Sequence, residues 1–195
     1  HCPPFSQALW LKKQLMLDGS ILMRTFSPSS STACCNSPPF SQAPRSAQPL
    51  PGLGTITGLA GRFVEPAVFL GYQSFVEPPT VLRAQDGVTE VWAGSKPPID
   101  PSDLVVERMH AVSTDGAEVG MFVVRRADAE LPGPVELYGY GGFTINLTPT
   151  YSPARLAFLE AGGIVVVANL RGGSEHGEPW HEQGSLGNKQ QVFDD

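Results

Sequence analysis

The residues with the clearest chemical potential stand in two glycine-rich turns, each of which follows a run of apolar, β-prone residues. The first turn spans residues 138–143, Y-G-Y-G-G-F, and the second spans residues 171–174, R-G-G-S. Glycines let a backbone approach a substrate closely, and Tyr140 adds a phenolic hydroxyl. Donors held at the end of a strand can stabilise the negative charge that develops on a carbonyl oxygen during acyl transfer. Tyr140 is therefore a candidate oxyanion-binding residue, with a half-buried strand tyrosine as the alternative interpretation.

Two other kinds of site fit the sequence less well. A dinucleotide-binding turn needs G-x-G-x-x-G opening directly into a helix, but Thr144 occupies the position of the third glycine. His176 and His181 have three glutamates nearby, but their spacing is not the H-E-x-x-H of a zinc site. The sequence therefore predicts neither a cofactor nor a metal ion.

The elements around the two turns predict an α/β fold. Residues 135–140 form a predicted central strand, and Ile164–Ala168 is an unbroken apolar run of the kind that is buried on both faces. Between them, Ser152 is a good N-cap and Pro153 a good first residue of a helix. A strand, a helix and a strand in succession predict two parallel strands, and ligands bind beyond the carboxyl ends of such strands.

Shorter β-prone runs precede this unit and predict antiparallel hairpins. Turn residues such as Asp86-Gly87 and Ser113–Gly116 separate them, as in a sandwich or a propeller blade. The predicted strands cover residues 55–57, 67–72, 80–83, 89–92, 104–112 and 119–125. A proline-rich connector over residues 96–103 marks a predicted domain boundary, which gives domains over 52–99 and 100–195.

The first 51 residues lack the character of a folded domain. From residue 27 to residue 51, 13 of 25 residues are Ser or Pro, so too little apolar surface remains to offset the cost of ordering the chain. We therefore predict a disordered leader over residues 1–51, with at most a short helix over residues 9–23. All three cysteines, Cys2, Cys34 and Cys35, lie in this part, so no disulfide or thiolate metal site is expected elsewhere.

The charge distribution excludes some functions. The net charge is -6, and because residues 1–50 carry +3, the remainder carries -9. An acidic body disfavours binding to nucleic acid, which needs clustered Lys and Arg. No apolar run reaches the roughly 18 residues that a membrane span needs. The chain begins at His1 and ends at Asp195 within a helical pattern, so we expect it to be a fragment.

Two stretches of the sequence closely resemble the prolyl oligopeptidase family of serine peptidases. The first is L-Y-G-Y-G-G-F at residues 137–143, with residues 147–149 and 152–159 after it. The second is V-V-V-A-N-L-R-G-G-S-E-H-G at residues 165–177, followed by Trp180-His181 and by V-F-D-D at residues 192–195. The resemblance covers about residues 100–195 and extends more weakly back to Gly54.

The resemblance implies a fold, a reaction and two site residues. It implies a partial α/β-hydrolase domain (100–195), preceded by the last antiparallel strands of a β-propeller (52–99) and the disordered leader (1–51). The parent protein would hydrolyse short peptides on the carboxyl side of proline through an acyl-enzyme. Tyr140 would donate a hydrogen bond to the oxyanion, and Phe143 would line the pocket for the proline ring. Short proline-containing peptides are the implied partners, without nucleic acid or membrane, for a monomer of the cytoplasm or the bacterial periplasm.

One departure from the family decides what the chain can do alone. In the family a nucleophilic serine, an aspartate and a histidine follow the F-D-D region, and neither Ser174 nor Ser185 has the required G-x-S-x-G pattern. We therefore assign no nucleophile, base or acid here, give Arg171 no catalytic role, and expect the chain alone to be inactive. A related oligopeptidase that prefers basic residues or acylated amino acids remains an alternative, as does a non-catalytic scaffold that retains half of the hydrolase fold.

Overall fold

The computed structural model describes residues 20–24, 45–62 and 67–195. The chain divides into two compact units: residues 1–72 with 79–95, and residues 73–78 with 96–195. We call them unit 1 and unit 2. The division between residues 95 and 96 lies at the start of the proline-rich connector. The assignment of the units to particular domain types stays a prediction.

Unit 1 contains a short two-stranded ribbon within the predicted leader. Strand β1, Ser20–Arg24, pairs antiparallel with β2, Arg45–Pro49. The predicted short helix over residues 9–23 is therefore wrong where it meets β1, because pairing of two strands keeps backbone hydrogen bonds that a short isolated helix holds poorly in water. Most of the predicted leader, with its three cysteines, lies outside the described residues.

A four-stranded sheet makes up the rest of unit 1. Strands β3 (Gly54–Gly61), β4 (Val68–Ser74), β5 (Thr80–Gln85) and β6 (Val88–Gly94) lie side by side in chain order. The pairs β4–β5 and β5–β6 are antiparallel, as the sequence predicts. The β5–β6 hairpin closes through Asp86 and Gly87, whose φ angles of 52° and 82° suit a tight two-residue turn. The buried core of the unit consists of Ile56, Leu70, Tyr72, Leu82 and Ala84.

Unit 2 is built on a mixed sheet. A short 3-10 helix, Pro101–Asp103, leads into β7 (Leu104–Val112), which pairs antiparallel with β8 (Glu118–Arg126) through the predicted turn at 113–116. Strands β9 (Val135–Gly139) and β10 (Ile164–Ala168) complete the sheet in the order β7-β8-β10-β9. Strand β10 is parallel to β9 and antiparallel to β8.

The predicted parallel pair is confirmed, and its two strands differ in how many neighbours they have among the described residues. Strand β10 lies between two neighbours and is almost wholly buried, as its unbroken apolar run indicates. Strand β9, predicted to be central, lies at the edge of the sheet in the part of the chain that the structure describes. Val135 and Leu137 on this strand are consequently 56% and 70% exposed.

Helix α1, Pro153–Glu160, crosses from β9 to β10 where the sequence predicts it. The Ser152 hydroxyl caps the helix by accepting a hydrogen bond from the Arg155 backbone N–H at 3.4 Å. Leu156 and Leu159 face the sheet and are buried. They belong to a core formed by Phe75, Ile99, Leu104, Phe122, Val124, Leu156, Leu159, Val165 and Val167.

The segment after β10 is more ordered than the sequence indicates. Residues 170–188 are mostly polar and show no clear strand or helix pattern in the sequence, but they contain a short helix α2, Glu178–Glu182, and a 3-10 helix, Leu186–Asn188. Pro179 stands in the first turn of α2, where its missing N–H costs nothing. Helix α3, Gln190–Asp194, follows as predicted. None of the helices in the described ranges has the length and apolar character needed to cross a bilayer.

The architecture agrees with the predicted α/β class at the coarse level. It combines antiparallel sheets, one mixed sheet and few helices. The parallel pair β9–β10 places the two glycine-rich turns next to each other at the carboxyl ends of these strands, since Gly139 and Ala168 are register partners there. The chemistry predicted for these turns therefore depends on the local geometry at these strand ends.

Candidate active site

The turn after β9 has an unusual backbone. Gly141, Phe143 and Thr144 have φ angles of 59°, 51° and 56°, in the left-handed region that non-glycine residues avoid. A backbone hydrogen bond from Ile145 N–H to the Gly142 carbonyl, at 3.0 Å, closes the turn. Such conformations cost of order 1–3 kcal/mol each and cluster at functional sites. The strained turn is thus a candidate site on grounds independent of its sequence.

The two predicted site residues point out of this turn. The Tyr140 side chain is 43% exposed, and its hydroxyl makes no hydrogen bond to any residue that the structure describes. Phe143 is 80% exposed. Both rings are therefore open to a ligand. A tyrosine with its oxygen packed into the core would have removed the proposed oxyanion role.

The turns after β9 and β10 are in direct backbone contact. A Cβ atom added to Gly172, whose φ is 92°, would lie 2.5 Å from the Gly141 carbonyl oxygen. A Cβ on Gly141 would lie 2.8 Å from the Arg171 carbonyl oxygen and would overlap the Val192 side chain. Gly184 packs as tightly against the Arg171–Gly172 peptide. Glycine is required at these positions because the two backbones leave no space for a side chain.

Hydrogen bonds join the two turns as well. The Thr144 N–H donates to the Gly172 carbonyl at 3.3 Å. The Ser174 hydroxyl donates to the Thr144 carbonyl at 3.0 Å, and the Ser174 N–H donates to the Asn146 side-chain oxygen at 2.9 Å. Ser174 therefore has a structural role, consistent with its lack of a nucleophile motif.

Asn169 and Glu175 extend this connection further from the strand ends. The buried Asn169 amide donates to the Leu147 carbonyl at 2.9 Å and to Glu175 Oε1 at 3.2 Å. The same Glu175 oxygen accepts from the Leu147 N–H at 3.0 Å. The segment after the tyrosine turn is thus fixed to the end of β10 by a polar network that the sequence did not reveal.

Arg171 is the centre of a buried ion-pair cluster. It is 2% exposed. Its guanidinium donates to Asp195 at 2.5 Å and to Asp115 at 2.6 Å, and it reaches Ser113 and Gln191 at 3.1 and 3.2 Å. The Arg171 N–H also donates to Asp195 Oδ2 at 3.0 Å. Arg171 therefore joins the β7–β8 turn, the end of β10 and helix α3.

The pKa values in this cluster follow from the contacts. The hydrogen bond to Asp195, and next that to Asp115, raises the pKa of Arg171. Burial raises the pKa of Asp195, but its hydrogen bonds from Arg171 and Ser113 outweigh this and hold that pKa below its ordinary value of 3.8. The Arg171 side chain likewise lowers the pKa of the exposed Asp115. All three groups are charged at neutral pH.

The two histidines considered as metal ligands have separate partners. The His181 Nδ1 atom lies 2.7 Å from the Gly172 carbonyl, which can only accept, so this nitrogen carries the proton. The His176 ring packs edge-on against Trp180 at 4.8 Å between ring centroids. Among the residues that the structure describes, no three His, Cys, Asp or Glu side chains form a group suited to a metal ion.

Sequence reasoning found the tyrosine turn but missed the groups that hold it in place. Arg171 and its acidic partners are 56 and 24 residues apart along the chain. One signal was present: an arginine three residues after a buried strand must be paired if it stays inside the protein. The other missed residue is Lys189, whose Nζ donates to the Gly141 carbonyl at 2.5 Å.

Comparison with known proteins gives the family. Residues 149–195 match the model of the prolyl oligopeptidase family. The chain is 35% identical over 150 residues to the prolyl endopeptidase of Elizabethkingia miricola, an alignment that covers 75% of this chain and 21% of that protein.

Solved structures that resemble this chain are of the same family. One from a structural and mechanistic analysis of two prolyl endopeptidases has a TM-score of 0.73 at 35% identity and covers 91% of this chain and 25% of its own. Prolyl oligopeptidase B from Galerina marginata, bound to a 35mer hydrolysis and macrocyclization substrate, has a TM-score of 0.64 at 32% identity. This match covers 72% of this chain and 21% of that chain. The chain thus spans a minor part of the length of these relatives. It belongs to the prolyl oligopeptidase family of serine peptidases.

Proposed function

We propose that the complete protein is a serine peptidase that hydrolyses short peptides on the carboxyl side of proline. In this mechanism a serine attacks the scissile carbonyl, a histidine takes its proton, and an acyl-enzyme forms and is then hydrolysed. None of the serines in these 195 residues has the G-x-S-x-G pattern, so the nucleophile comes from another part of the complete protein. The residues described here supply a group that stabilises the negative charge developing on the carbonyl oxygen.

Tyr140 is the proposed oxyanion donor. Tyr140 is 43% exposed, directly follows the carboxyl end of parallel strand β9, and its hydroxyl makes no hydrogen bond to a described residue. This combination is the observation that carries the proposal. The turn that bears Tyr140 is fixed by the close packing of Gly141 against Gly172 and by hydrogen bonds between the two turns. A donor held in place before the reaction needs no reorganisation as the charge forms, and one such donor lowers the barrier by about 3 kcal/mol.

Phe143 is the proposed wall of the pocket for the substrate proline. A flat apolar pyrrolidine ring packs well on an aromatic face. Phe143 is 80% exposed, so its aromatic face is accessible to a substrate side chain. Its left-handed backbone, with φ at 51°, directs the side chain out of the turn, and this is a conformation that a protein keeps only where surrounding contacts enforce it.

The domain assignment belongs to the same proposal. Unit 2, with its mixed sheet and the strand–helix–strand crossover, corresponds to the first part of an α/β-hydrolase domain. The four-stranded sheet of unit 1, with strands adjacent in chain order, corresponds to the last strands of a β-propeller. Short peptides are the proposed substrates because the resemblance implies a propeller that limits access to the catalytic domain.

A panel of chromogenic peptides tests the proposed function. The complete gene product is assayed with substrates that carry Pro, Arg or an acylated amino acid before the leaving group. We expect kcat/KM to be highest for the proline substrate. A preference for arginine or for acylated amino acids would show that the protein is a related oligopeptidase with a different substrate specificity. Absence of turnover by a folded complete protein would favour the non-catalytic scaffold.

A further inference from the structure

Helix α3 packs directly on the turn that carries Tyr140. Val192 of this helix is 5% exposed, and its side chain contacts Gly141 so closely that a Cβ atom there would overlap it. Leu170 and the Arg171 carbonyl cover Gly141 from the second turn. The residue that follows the proposed oxyanion donor is thus enclosed by α3 and by the turn after β10.

Lys189 adds a charged contact to this packing. It stands at the junction of the 3-10 helix Leu186–Asn188 and α3, and its Nζ donates to the Gly141 carbonyl at 2.5 Å. A hydrogen bond from an ammonium group is stronger than one between neutral partners. The same carbonyl oxygen lies against Gly172, because a Cβ on Gly172 would come within 2.5 Å of it. The peptide between Gly141 and Gly142 is therefore held from both sides.

The backbone of Lys189 is held at the start of α3, and the arginine cluster anchors the other end of this helix. The Lys189 backbone carbonyl accepts from the Val192 N–H at 3.2 Å, and its own N–H donates to the Leu186 carbonyl at 3.2 Å. The residue after α3, Asp195, is bound by the buried Arg171. A continuous set of contacts thus runs from the arginine cluster through α3 to the Gly141 carbonyl.

We propose that Lys189 is a positioning residue that acts through Tyr140, a role that rests on the proposed oxyanion function. Two glycines follow the tyrosine, and glycines allow wide backbone rotation. Without the ammonium group, the Gly141–Gly142 peptide can rotate and carry the phenol away from the forming oxyanion. A misplacement of about 1 Å at a catalytic group can lower the rate about 100-fold. The effect falls on kcat, because the oxyanion exists only after the substrate has bound.

The test compares Lys189→Met, Lys189→Arg and Tyr140→Phe, alone and combined, in the complete protein with a proline peptide. The control is Lys96→Met, an exposed lysine of the connector outside the site. We expect Lys189→Met to lower kcat about tenfold or more, with KM within about twofold of wild type. Lys189→Arg, which retains a charged donor, should recover most of the rate. Lys96→Met should leave both constants unchanged.

The double variant separates this inference from the function on which it rests. If Lys189 acts through Tyr140, adding Lys189→Met to Tyr140→Phe should slow the enzyme no further. Independent, multiplying effects would overturn the positioning role, as would a wild-type kcat for Lys189→Met. An unchanged kcat for Tyr140→Phe alone would instead remove the proposed oxyanion function. Should Lys189→Met not fold, Lys189→Ala, which also removes the donor, takes its place in the same comparison.

Discussion

Replacing Arg171 with methionine is expected to destabilise unit 2 by about 3–5 kcal/mol, the cost of leaving one partner of a buried ion pair alone. The Arg171 and Asp195 side chains are 3% and 0% exposed, so the substitution leaves the Asp195 carboxylate buried without its main charged partner. Methionine retains most of the aliphatic stem, so little of the loss comes from packing. A protein domain is stable by only about 5–15 kcal/mol, and the change should be easily measured.

Urea denaturation monitored by circular dichroism measures this loss. The urea concentration at the midpoint of unfolding should fall, while the dependence of the unfolding free energy on urea concentration stays similar. Asp115→Asn is the matched control, because it removes the partner whose side chain is 42% exposed and should therefore have a much smaller effect. Adding Asp195→Asn to Arg171→Met should restore part of the stability, since the uncompensated charge is then gone. If Arg171→Met is no less stable than Asp115→Asn, the cluster does not hold α3 in place and the reasoning is wrong.

Two further predictions concern the acid stability and the substrate pocket. The pKa of Asp195 is lowered by folding, so its contribution is present above its ordinary pKa of 3.8 and is lost as the pH falls through the lower folded value. The unfolding free energy of Asp195→Asn should therefore depend less on pH between about pH 2 and pH 5, and an unchanged acid titration would contradict this. Phe143→Ala should lower kcat/KM for a proline peptide about tenfold, while Ile145→Ala, nearby and also exposed, should not, and equal effects would refute the pocket role.

Much of the local structure could be predicted because its causes are local. The predicted strands over Leu104–Val112 and Ile164–Ala168 have the observed bounds, since hydrophobic patterning and turn residues specify them. The capped start of α1 at Ser152 and Pro153 was predicted for the same reason. The parallel pairing of β9 and β10 followed from the crossover connection, and with it the common edge at which the two glycine-rich turns meet.

The errors and omissions concern long-range contacts. The position of β9 at the edge of the described sheet depends on which strands lie beside it, and its own residues do not determine that. Arg171 meets Asp115 only because the β7–β8 turn and the end of β10 come together in the folded chain. Lys189 reaches Gly141 across 48 residues of sequence. The position of Tyr140 could thus be predicted, while the contacts that hold its turn could not.

The most direct test of the proposed function is the kcat of Tyr140→Phe in the complete protein with a proline-containing peptide. The substitution removes only the hydroxyl from a side chain that is 43% exposed, so folding should be unaffected. We predict that kcat falls about 100-fold or more while KM changes little, because a single oxyanion donor is lost. A kcat equal to that of the wild-type protein would show that this phenol does not bind the oxyanion.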